Sequence, residues 1–216
     1  MIIFRDTKKK ITPSLKIYVE RNIIPLYKKF DGAHNEDHAR EVIDNALEMA
    51  KYYDISPDLV YTAAAYHDTG LAFGRDKHEL YSGKIVEKDK QKLLKWFDLD
   101  EIELIKSAVE DHRCSNEHEP RSVLGKIIAE ADRVIDTYRT LTRVLKFGKD
   151  NYKGLDKEEQ IQRAADYITK KYGKGGRVKI YIPESPNKKK LQDLQRLISK
   201  KKELYKKLEE VYDKNK

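Results

Sequence analysis

The chain has 216 residues, of which 38% are charged and 39% hydrophobic, and its formal net charge at pH 7 is +8. This length is sufficient to bury a hydrophobic core, and the single cysteine excludes an intramolecular disulfide framework. No apolar run approaches the roughly 20 residues that a membrane-spanning helix requires, so we expect no membrane association. The lone cysteine and the lack of a secretory leader predict a cytoplasmic protein.

Most of the positive charge lies near the C-terminus. Residues 186–216 contain eleven Lys and Arg against five Asp and Glu, which is +6 of the total +8. A basic segment of this kind is compatible with a nucleic-acid partner, but charges of both signs occur throughout the chain. We therefore interpret the tail as solvated surface charge and do not expect nucleic acid to be the main partner.

Periodic apolar residues and capping residues predict a series of helices in the first part of the chain. Asn35 can cap the first of them. Ser56 and Pro57 are a cap and a first helical residue for the next helix, which should stop near Gly70, a glycine typical of the left-handed ends of helices.

Three more helices are predicted between that glycine and the middle of the chain. One covers about residues 78–96. Asp100 and Glu103 have the spacing of a capping box before the second, with aspartate in place of serine or threonine. Ser122 can cap the third, in which apolar residues recur every fourth position up to Asp132.

The rest of the chain is less regular. Residues 178–182 alternate apolar and polar side chains after three glycines, which indicates a short strand, and the opening segment "MIIF" is a candidate partner for it. From Leu191 onwards the apolar residues repeat about every seven positions, which predicts one long helix. That helix either packs on the bundle or pairs with its copy in a homodimer.

The predicted fold is therefore an all-α helical bundle with a C-terminal helical extension and a short two-stranded β element. We place the bundle at residues 1–150. The extension, at residues 151–216, consists of a helix, the short strand and the long basic helix, packed on the first domain.

Four polar residues interrupt the apolar stripes of these helices. His38 lies in the first turn of one helix, His67 and Asp68 in the last turn of the next, and Asp132 on the apolar face of a later one. Any one of the histidines alone is better explained as an ordinary core or surface residue. Together, imidazoles and carboxylates from separate helices that face one core suit a divalent transition metal, and a carboxylate on an apolar face is costly unless it is paired.

These segments resemble the HD superfamily of metal-dependent phosphohydrolases, whose pattern is H…HD…D. "AYHDTG", with His38 before it and "AEADR" after it, supplies the four residues in order over about residues 33–136. "AHNEDHAREV", "KHELYSGKI" and "EDHR" are similar to further segments of the small HD hydrolases. The chain departs from many of them at Glu41, where an arginine is usual, and has Arg40 beside it. It lacks the acidic motif of stringent-response hydrolases and the "GYP" motif of cyclic di-GMP phosphodiesterases, so we do not expect those specificities.

The resemblance implies an HD-type fold and a role for each matching residue. The implied metal ligands are His38, His67, Asp68 and Asp132. The implied catalytic residues are Asp68, which bridges where two ions are bound, and His78 and His112, which contact phosphate or join a second ion. We expect the substrate site to be lined by His34, Lys77, Glu79, Asp111 and Arg113. Glu79 and Asp111 serve either as general base or to orient the adjacent histidines, and we favour the second role.

The sequence therefore predicts a phosphohydrolase with one or two divalent ions, drawn from Mn, Fe, Zn, Ni and Mg. Metal-activated water would cleave a phosphate ester or phosphoanhydride of a nucleotide or another small phosphorylated molecule. The alternative is a non-catalytic HD-type sensor that binds a nucleotide or metal, with its basic tail in contact with nucleic acid or a protein partner.

Overall fold

A computed structural model describes residues 10–30, 34–113, 116, 118–133 and 135–214. These residues form helices and connecting segments and contain no β-strand, so the predicted all-α class is confirmed. None of the helices in the described part of the chain is long and apolar enough to cross a membrane. The chain divides into two compact units, unit 1 (Met1–Asp132) and unit 2 (Arg133–Lys216).

Unit 1 contains seven α-helices and two 3₁₀ helices among its described residues. The α-helices are α1 (Pro13–Asn22), α2 (Glu36–Ala50), α3 (Pro57–Tyr66), α4 (His78–Lys88), α5 (Lys90–Leu93), α6 (Leu99–Asp111) and α7 (Val123–Ala131). The 3₁₀ helices are Ile24–Lys29 and Thr69–Phe73.

Helix α3 is the centre of unit 1. All of its residues from Leu59 to Tyr66 are buried, including three consecutive alanines whose small side chains let neighbouring helices come close. The helix packs against α2, α6 and α7. The predicted caps of two of these neighbours are confirmed, because the side chains of Asn35 and Ser122 accept hydrogen bonds from backbone N–H groups in the first turns of α2 and α7. The fold thus brings the ends of several helices together around the C-terminus of α3.

Helix α3 ends earlier than predicted, at Tyr66, and Gly70 does not end it in a left-handed conformation. Gly70 lies instead in the second 3₁₀ helix, where its N–H donates to the hydroxyl of Ser82 at 2.8 Å. A Cβ atom at this position would overlap the carbonyl oxygen of His78 and lie 2.5 Å from the nitrogen of Ser82. Glycine is therefore required here by the close approach of α4.

The helix predicted over residues 78–96 is interrupted at Asp89. Its buried carboxylate accepts hydrogen bonds from the hydroxyl groups of Tyr66 at 2.9 Å and Tyr18 at 3.2 Å, and from Lys92 at 2.6 Å. These long-range partners hold the chain at the junction of α4 and α5, so the two helices are separate.

The capping box before α6 lies two residues earlier than predicted. Asp98 accepts a hydrogen bond from the N–H of Glu101 at 2.9 Å, and the Glu101 carboxylate accepts one from the N–H of Asp98 at 3.0 Å. The prediction of Asp100 with Glu103 is therefore wrong. The earlier cap adds two residues to the helix, since the N–H of Ile102 already bonds to the carbonyl of Asp98 at 3.1 Å.

Unit 2 consists of four helices in its described residues, each packed on others of the same unit. They are α8 (Thr137–Asn151), α9 (Lys157–Tyr172), α10 (Asn187–Ser199) and α11 (Lys201–Lys214). The division at Asp132 places α8 with the C-terminal helices, whereas the sequence-based boundary at residue 150 assigned it to the first domain.

Two expectations for unit 2 are corrected. Residues 178–182 form no strand, because the N–H of Val178 bonds to the carbonyl of Lys171 at the end of α9 and its side chain is buried. The "MIIF" segment lies outside the described residues. The long C-terminal helix is broken at Lys200 into α10 and α11. The apolar side chains Leu191, Leu194, Leu204, Leu208 and Val211 of these two helices are buried, and the pairing of two copies through this segment stays a prediction.

Candidate metal centre

Six titratable side chains of unit 1 meet where helices begin or end. Each lies in the first turn, or directly after the last residues, of α2, α3, α4, α6 or α7. They are His38, His67, Asp68, His78, His112 and Asp132. The apolar faces of the helices stop at the helix ends. Polar side chains can therefore lie together there without disrupting the hydrophobic core between the helices.

The carboxylate of Asp68 is at the centre of this cluster. Its Oδ2 lies 3.3 Å from Nε2 of His67 and 3.7 Å from Nε2 of His38. Its Oδ1 lies 3.2 Å from Nε2 of His78 and 3.4 Å from Nε2 of His112. One carboxylate therefore faces two pairs of imidazoles, one pair at each oxygen.

Asp132 completes the first of two overlapping groups of ligand atoms. Its Oδ1 lies 3.2 Å from Nε2 of His38 and 3.8 Å from Nε2 of His67. Within each group the ligand atoms all lie within 4.8 Å of one another. The first group is His38, His67, Asp68 and Asp132, and the second is Asp68, His78 and His112.

Hydrogen bonds at the other ring nitrogen fix the orientation of three imidazoles. In each case Nδ1 lies close to a backbone carbonyl oxygen three residues earlier in the chain. The pairs are His67 with Ala64 at 2.7 Å, His112 with Val109 at 2.6 Å and His78 with Arg75 at 3.0 Å. Because a carbonyl oxygen only accepts, Nδ1 carries a proton in each ring, and Nε2 can offer a lone pair to the cluster when it carries no proton of its own.

This donor set fits a divalent metal ion. The Nε2 atoms of His38 and His67 lie 3.4 Å apart, and those of His78 and His112 lie 3.2 Å apart. Facing lone pairs cannot satisfy each other, whereas a cation can accept both together with the carboxylate oxygens. Metal-ligating histidines typically donate their other N–H to a carbonyl or carboxylate, and His67, His78 and His112 each do so. The cluster can therefore hold a divalent metal.

The two carboxyl groups of the cluster are strongly acidic. Burial alone would raise the pKa of Asp68, but His67 and hydrogen bonds from His112 and His78 lower it well below its usual range. Burial would likewise raise the pKa of Asp132, and the hydrogen bond from His38 with the charge of His67 lowers it to about 2. Both carboxylates are therefore ionised at neutral pH and attract positive charge.

Protons occupy the cluster when no metal is bound. Burial lowers the pKa of His112, but its hydrogen bond to Asp68 and the charges of Asp68 and Asp132 outweigh this effect and raise it to about 9. Burial lowers the pKa of His38 as well, and the hydrogen bond and charge of Asp132 leave it raised. A metal that binds must displace these protons, as ligand deprotonation requires.

Glu79 and Arg113 pair at the edge of the cluster. Nη1 of Arg113 lies 3.0 Å and 3.3 Å from the two carboxylate oxygens of Glu79, and Oε2 of Glu79 lies 3.5 Å from Nδ1 of His78. Glu79 is buried, while the side chain of Arg113 is about one-third exposed. The pair therefore connects a ligand histidine with a cation that reaches the surface.

Asp111 is engaged elsewhere. Both of its oxygens accept hydrogen bonds from Arg121, one from the backbone N–H at 2.7 Å and one from Nε at 2.9 Å. The ring of His112 is held by the carbonyl of Val109, and the expected role of Asp111 at the substrate site stays a prediction.

His34 and Lys77 lie outside the two ligand groups. His34 is half-buried, and its ring packs edge-on against His38 with the centroids 5.8 Å apart. Nε2 of His34 lies 3.4 Å from Nη2 of Arg75. Lys77 is exposed and precedes α4 in the left-handed conformation, with φ at 53°.

Tyr27 is a supporting residue that the sequence did not indicate. It is fully buried, and its hydroxyl group donates to the carbonyl of Ala65 at 3.0 Å and accepts from the N–H of Asp68 at 3.2 Å. Burial and the charge of Asp68 raise its pKa, so the hydroxyl stays protonated. Tyr27 thus holds the turn that carries His67 and Asp68. It is one of 14 tyrosines and lies before the H…HD…D segment, so nothing in the sequence distinguishes it.

The fold and the cluster define a helical domain that can hold a metal ion, and the comparison with known families gives this domain a name. Residues 35–136, a little under half of the chain, match the family model of the HD domain. This segment is therefore an HD domain, as the resemblance predicted, and it includes all six cluster residues. Comparisons with curated proteins and with solved structures found no match.

Proposed function

We propose that unit 1 is a metal-dependent phosphohydrolase that cleaves a phosphate ester or phosphoanhydride of a small molecule, including nucleotides. The observation that carries the proposal is the position of Asp68, which places one oxygen in each of two ligand groups. A structural ion is usually enclosed by one complete set of protein ligands. Two adjacent groups that share a carboxylate are instead typical of hydrolytic sites with a pair of ions.

The two groups provide for one ion each, with Asp68 between them. The first would be held by His38, His67, Asp68 and Asp132, and the second by Asp68, His78 and His112. Four imidazoles favour Mn, Fe, Zn or Ni over Mg, which prefers oxygen ligands and bound water. When bound, such ions lower the pKa of water from 15.7 towards neutrality and polarise phosphoryl oxygens.

The chain itself supplies orientation and charge. The Nδ1–H groups of His67, His78 and His112 keep their rings aimed at Asp68. Arg113 offers a cation for the phosphoryl oxygens, and because Glu79 binds it from a buried position, the guanidinium group is held in one direction. Stabilisation of charge on these oxygens is the main requirement of phosphoryl transfer.

The test combines metal analysis with a screen of small phosphorylated compounds in the presence of Mn²⁺. We expect purified protein to contain transition metal and to hydrolyse at least one compound. Loss of a residue that only supports a metal ligand weakens metal binding by up to about 100-fold. Asp68→Asn and His67→Ala each change a proposed ligand itself, so we expect each to weaken metal binding by more than this and to lower turnover as well. Asp89→Asn, which changes a buried carboxylate outside the cluster, is the matched control and should keep metal and activity.

The sensor alternative gives a different result in the same experiment. It predicts nucleotide binding by the metal-loaded protein without turnover of any compound. Unchanged hydrolysis in a folded Asp68→Asn protein would equally contradict the phosphohydrolase proposal.

A further inference from the structure

An exposed phenylalanine is stacked on a half-buried tyrosine, on the elements that carry two of the cluster residues. Phe73 ends the second 3₁₀ helix and is 65% exposed, more than any other large hydrophobic side chain in the described residues. Its ring is stacked on that of Tyr81, with the centroids 5.3 Å apart and the planes 26° apart. Single exposed apolar residues are ordinary, but two rings held in a stack present a flat, preformed apolar surface.

Both rings are connected to the candidate metal centre by short, regular segments. Phe73 follows Asp68 by five residues in a 3₁₀ helix, whose rise of about 2 Å per residue separates the two by roughly 10 Å. Tyr81 follows His78 by three residues in α4, so the two side chains share a helix face. Measured along the backbone, the separation of Phe73 from Asp68 is of the size of a sugar phosphate.

Two basic residues accompany the aromatic pair. Nζ of Lys84 lies 4.8 Å from the ring centroid of Tyr81. Arg75 follows Phe73 by two residues, and its guanidinium lies 3.4 Å from Nε2 of His34. An apolar flat surface with cations beside it is complementary to a ligand that is both planar and anionic.

We propose that Phe73, backed by Tyr81, stacks on a planar ring in the leaving group of the substrate. This inference depends on the proposed phosphohydrolase function and adds to it a determinant of specificity. The preferred substrates are then phosphate esters of a nucleoside or of a similar heteroaromatic alcohol. Phe73 contributes only to binding of the leaving group, and the bond that breaks is the phosphoester bond at the cluster.

Adenosine 5′-monophosphate and ribose 5-phosphate test this proposal, because they have the same sugar and phosphate and differ only in the base. We expect the kcat/KM of the wild-type protein for the nucleotide to be at least about tenfold higher than that for the sugar phosphate. A difference of about tenfold lies in the lower part of the range usually seen when one base-stacking side chain is removed. Phe73→Ala should lower this ratio about tenfold, and Phe73→Trp should retain it.

Tyr52→Ala is the matched control variant. Tyr52 is 61% exposed and lies 14 residues beyond His38, past the opposite end of α2 and about 20 Å along it. The ratio of the two kcat/KM values should be unchanged in this variant. An equal loss in Tyr52→Ala and Phe73→Ala would overturn the stacking role, and so would an unchanged ratio in Phe73→Ala.

A binding measurement separates this proposal from the proposed function. If the wild-type protein hydrolyses neither compound, calorimetric titration of the manganese-loaded protein with both compounds decides the stacking role. Tighter binding of the nucleotide that Phe73→Ala weakens about tenfold supports it. Equal binding of the two compounds, or equal binding by wild type and variant, overturns it.

Discussion

The two units differ in where they place ionisable side chains. Unit 1 buries seven acidic or histidine residues, whereas the buried polar residues described in unit 2 are the neutral Thr140, Gln160, Ser185 and Asn187. The seven are His67, Asp68, Glu79, Asp89, Asp111, His112 and Glu130. Unit 2 thus has a core of the ordinary kind, and unit 1 keeps charged groups where they are costly.

The net charges of the units differ in the same direction. Unit 1 has 21 Lys and Arg against 25 Asp and Glu, a net charge of −4, and unit 2 has 24 against 12, a net charge of +12. The basic character of the chain therefore belongs to unit 2 as a whole and extends beyond its final helices.

Among the substitutions considered, Gly70→Ala is expected to have the largest effect on the buried ionisable cluster that distinguishes unit 1 from unit 2. The added Cβ would force α4 away from the 3₁₀ helix and move His78 from Asp68, because the atoms in its way are backbone. We expect the variant to lose about one metal ion per chain and to lose turnover by about 100-fold or more. Mass spectrometry of the native protein would count the ions.

Gly83→Ala, in the neighbouring helix α4, is the control for that change. A Cβ there meets the flexible side chain of Glu110. Full metal content in Gly70→Ala, or equal loss in both variants, would contradict the importance of the close approach.

The metal-free protein should become less stable as pH rises, and the loss should come from unit 1. The pKa of His112 is raised from 6.5 to about 9 in the folded state, so its stabilising contribution is complete below pH 6.5 and is lost as pH rises through about 9. The free energy of unfolding should fall by up to about 3 kcal/mol over this range. Trp96, the only tryptophan, lies in unit 1 and reports its urea unfolding by fluorescence.

His112→Gln provides the comparison, since it removes the titrating group. Its unfolding free energy should depend less on pH between 6.5 and 9. The same slope in both proteins would assign the effect to other groups.

A smaller effect is expected from Tyr27→Phe. The variant leaves the N–H of Asp68 and the carbonyl of Ala65 without the hydroxyl group, which should cost about 1–3 kcal/mol of unfolding free energy. Tyr18→Phe should cost less, because Asp89 keeps Tyr66 and Lys92 as partners. The unfolding free energy of both variants can be followed by Trp96 fluorescence. An equal decrease in the two variants would show that the hydroxyl group beside Asp68 is no more important for stability than that of Tyr18.

The smallest effect on the site is expected from Gln160→Leu in unit 2. The buried Gln160 donates from Nε2 to the carbonyl of Gly148 at 3.2 Å and that of Tyr152 at 2.7 Å. Its loss should destabilise α8 and α9 by about 1–3 kcal/mol, visible as faster hydrogen exchange there. Metal content and hydrolysis should stay at wild-type values, and a change in either would mean that the units are energetically coupled.

The sequence predicted the cluster better than the elements around it. His38, His67, Asp68 and Asp132 were recognisable because their chemistry has few substitutes and because each interrupts an apolar stripe. Their supporting contacts were not recognisable, since Tyr27 acts through a hydroxyl group from a distant segment.

Helix ends were predicted less well for a related reason. Asp98 and Asp100 both fit a capping box with a glutamate three residues later, and local spacing does not choose between them. The break at Asp89 depends on two tyrosines that are distant in sequence. Alternation at residues 178–182 indicated a strand, but a strand also needs a partner, and the backbone N–H of Val178 is already bonded to α9.

The hydrogen bonds from Nδ1 of His67 and His112 have a consequence for the kinetics of metal uptake. Each histidine directly follows a helix and bonds to a carbonyl three residues back, at the end where helices leave carbonyl groups without partners. One bond therefore completes the helix end and immobilises the ring. Because these rings would be ordered before an ion arrives, we expect its binding to require little further loss of side-chain entropy and its rate to depend on proton release from the cluster.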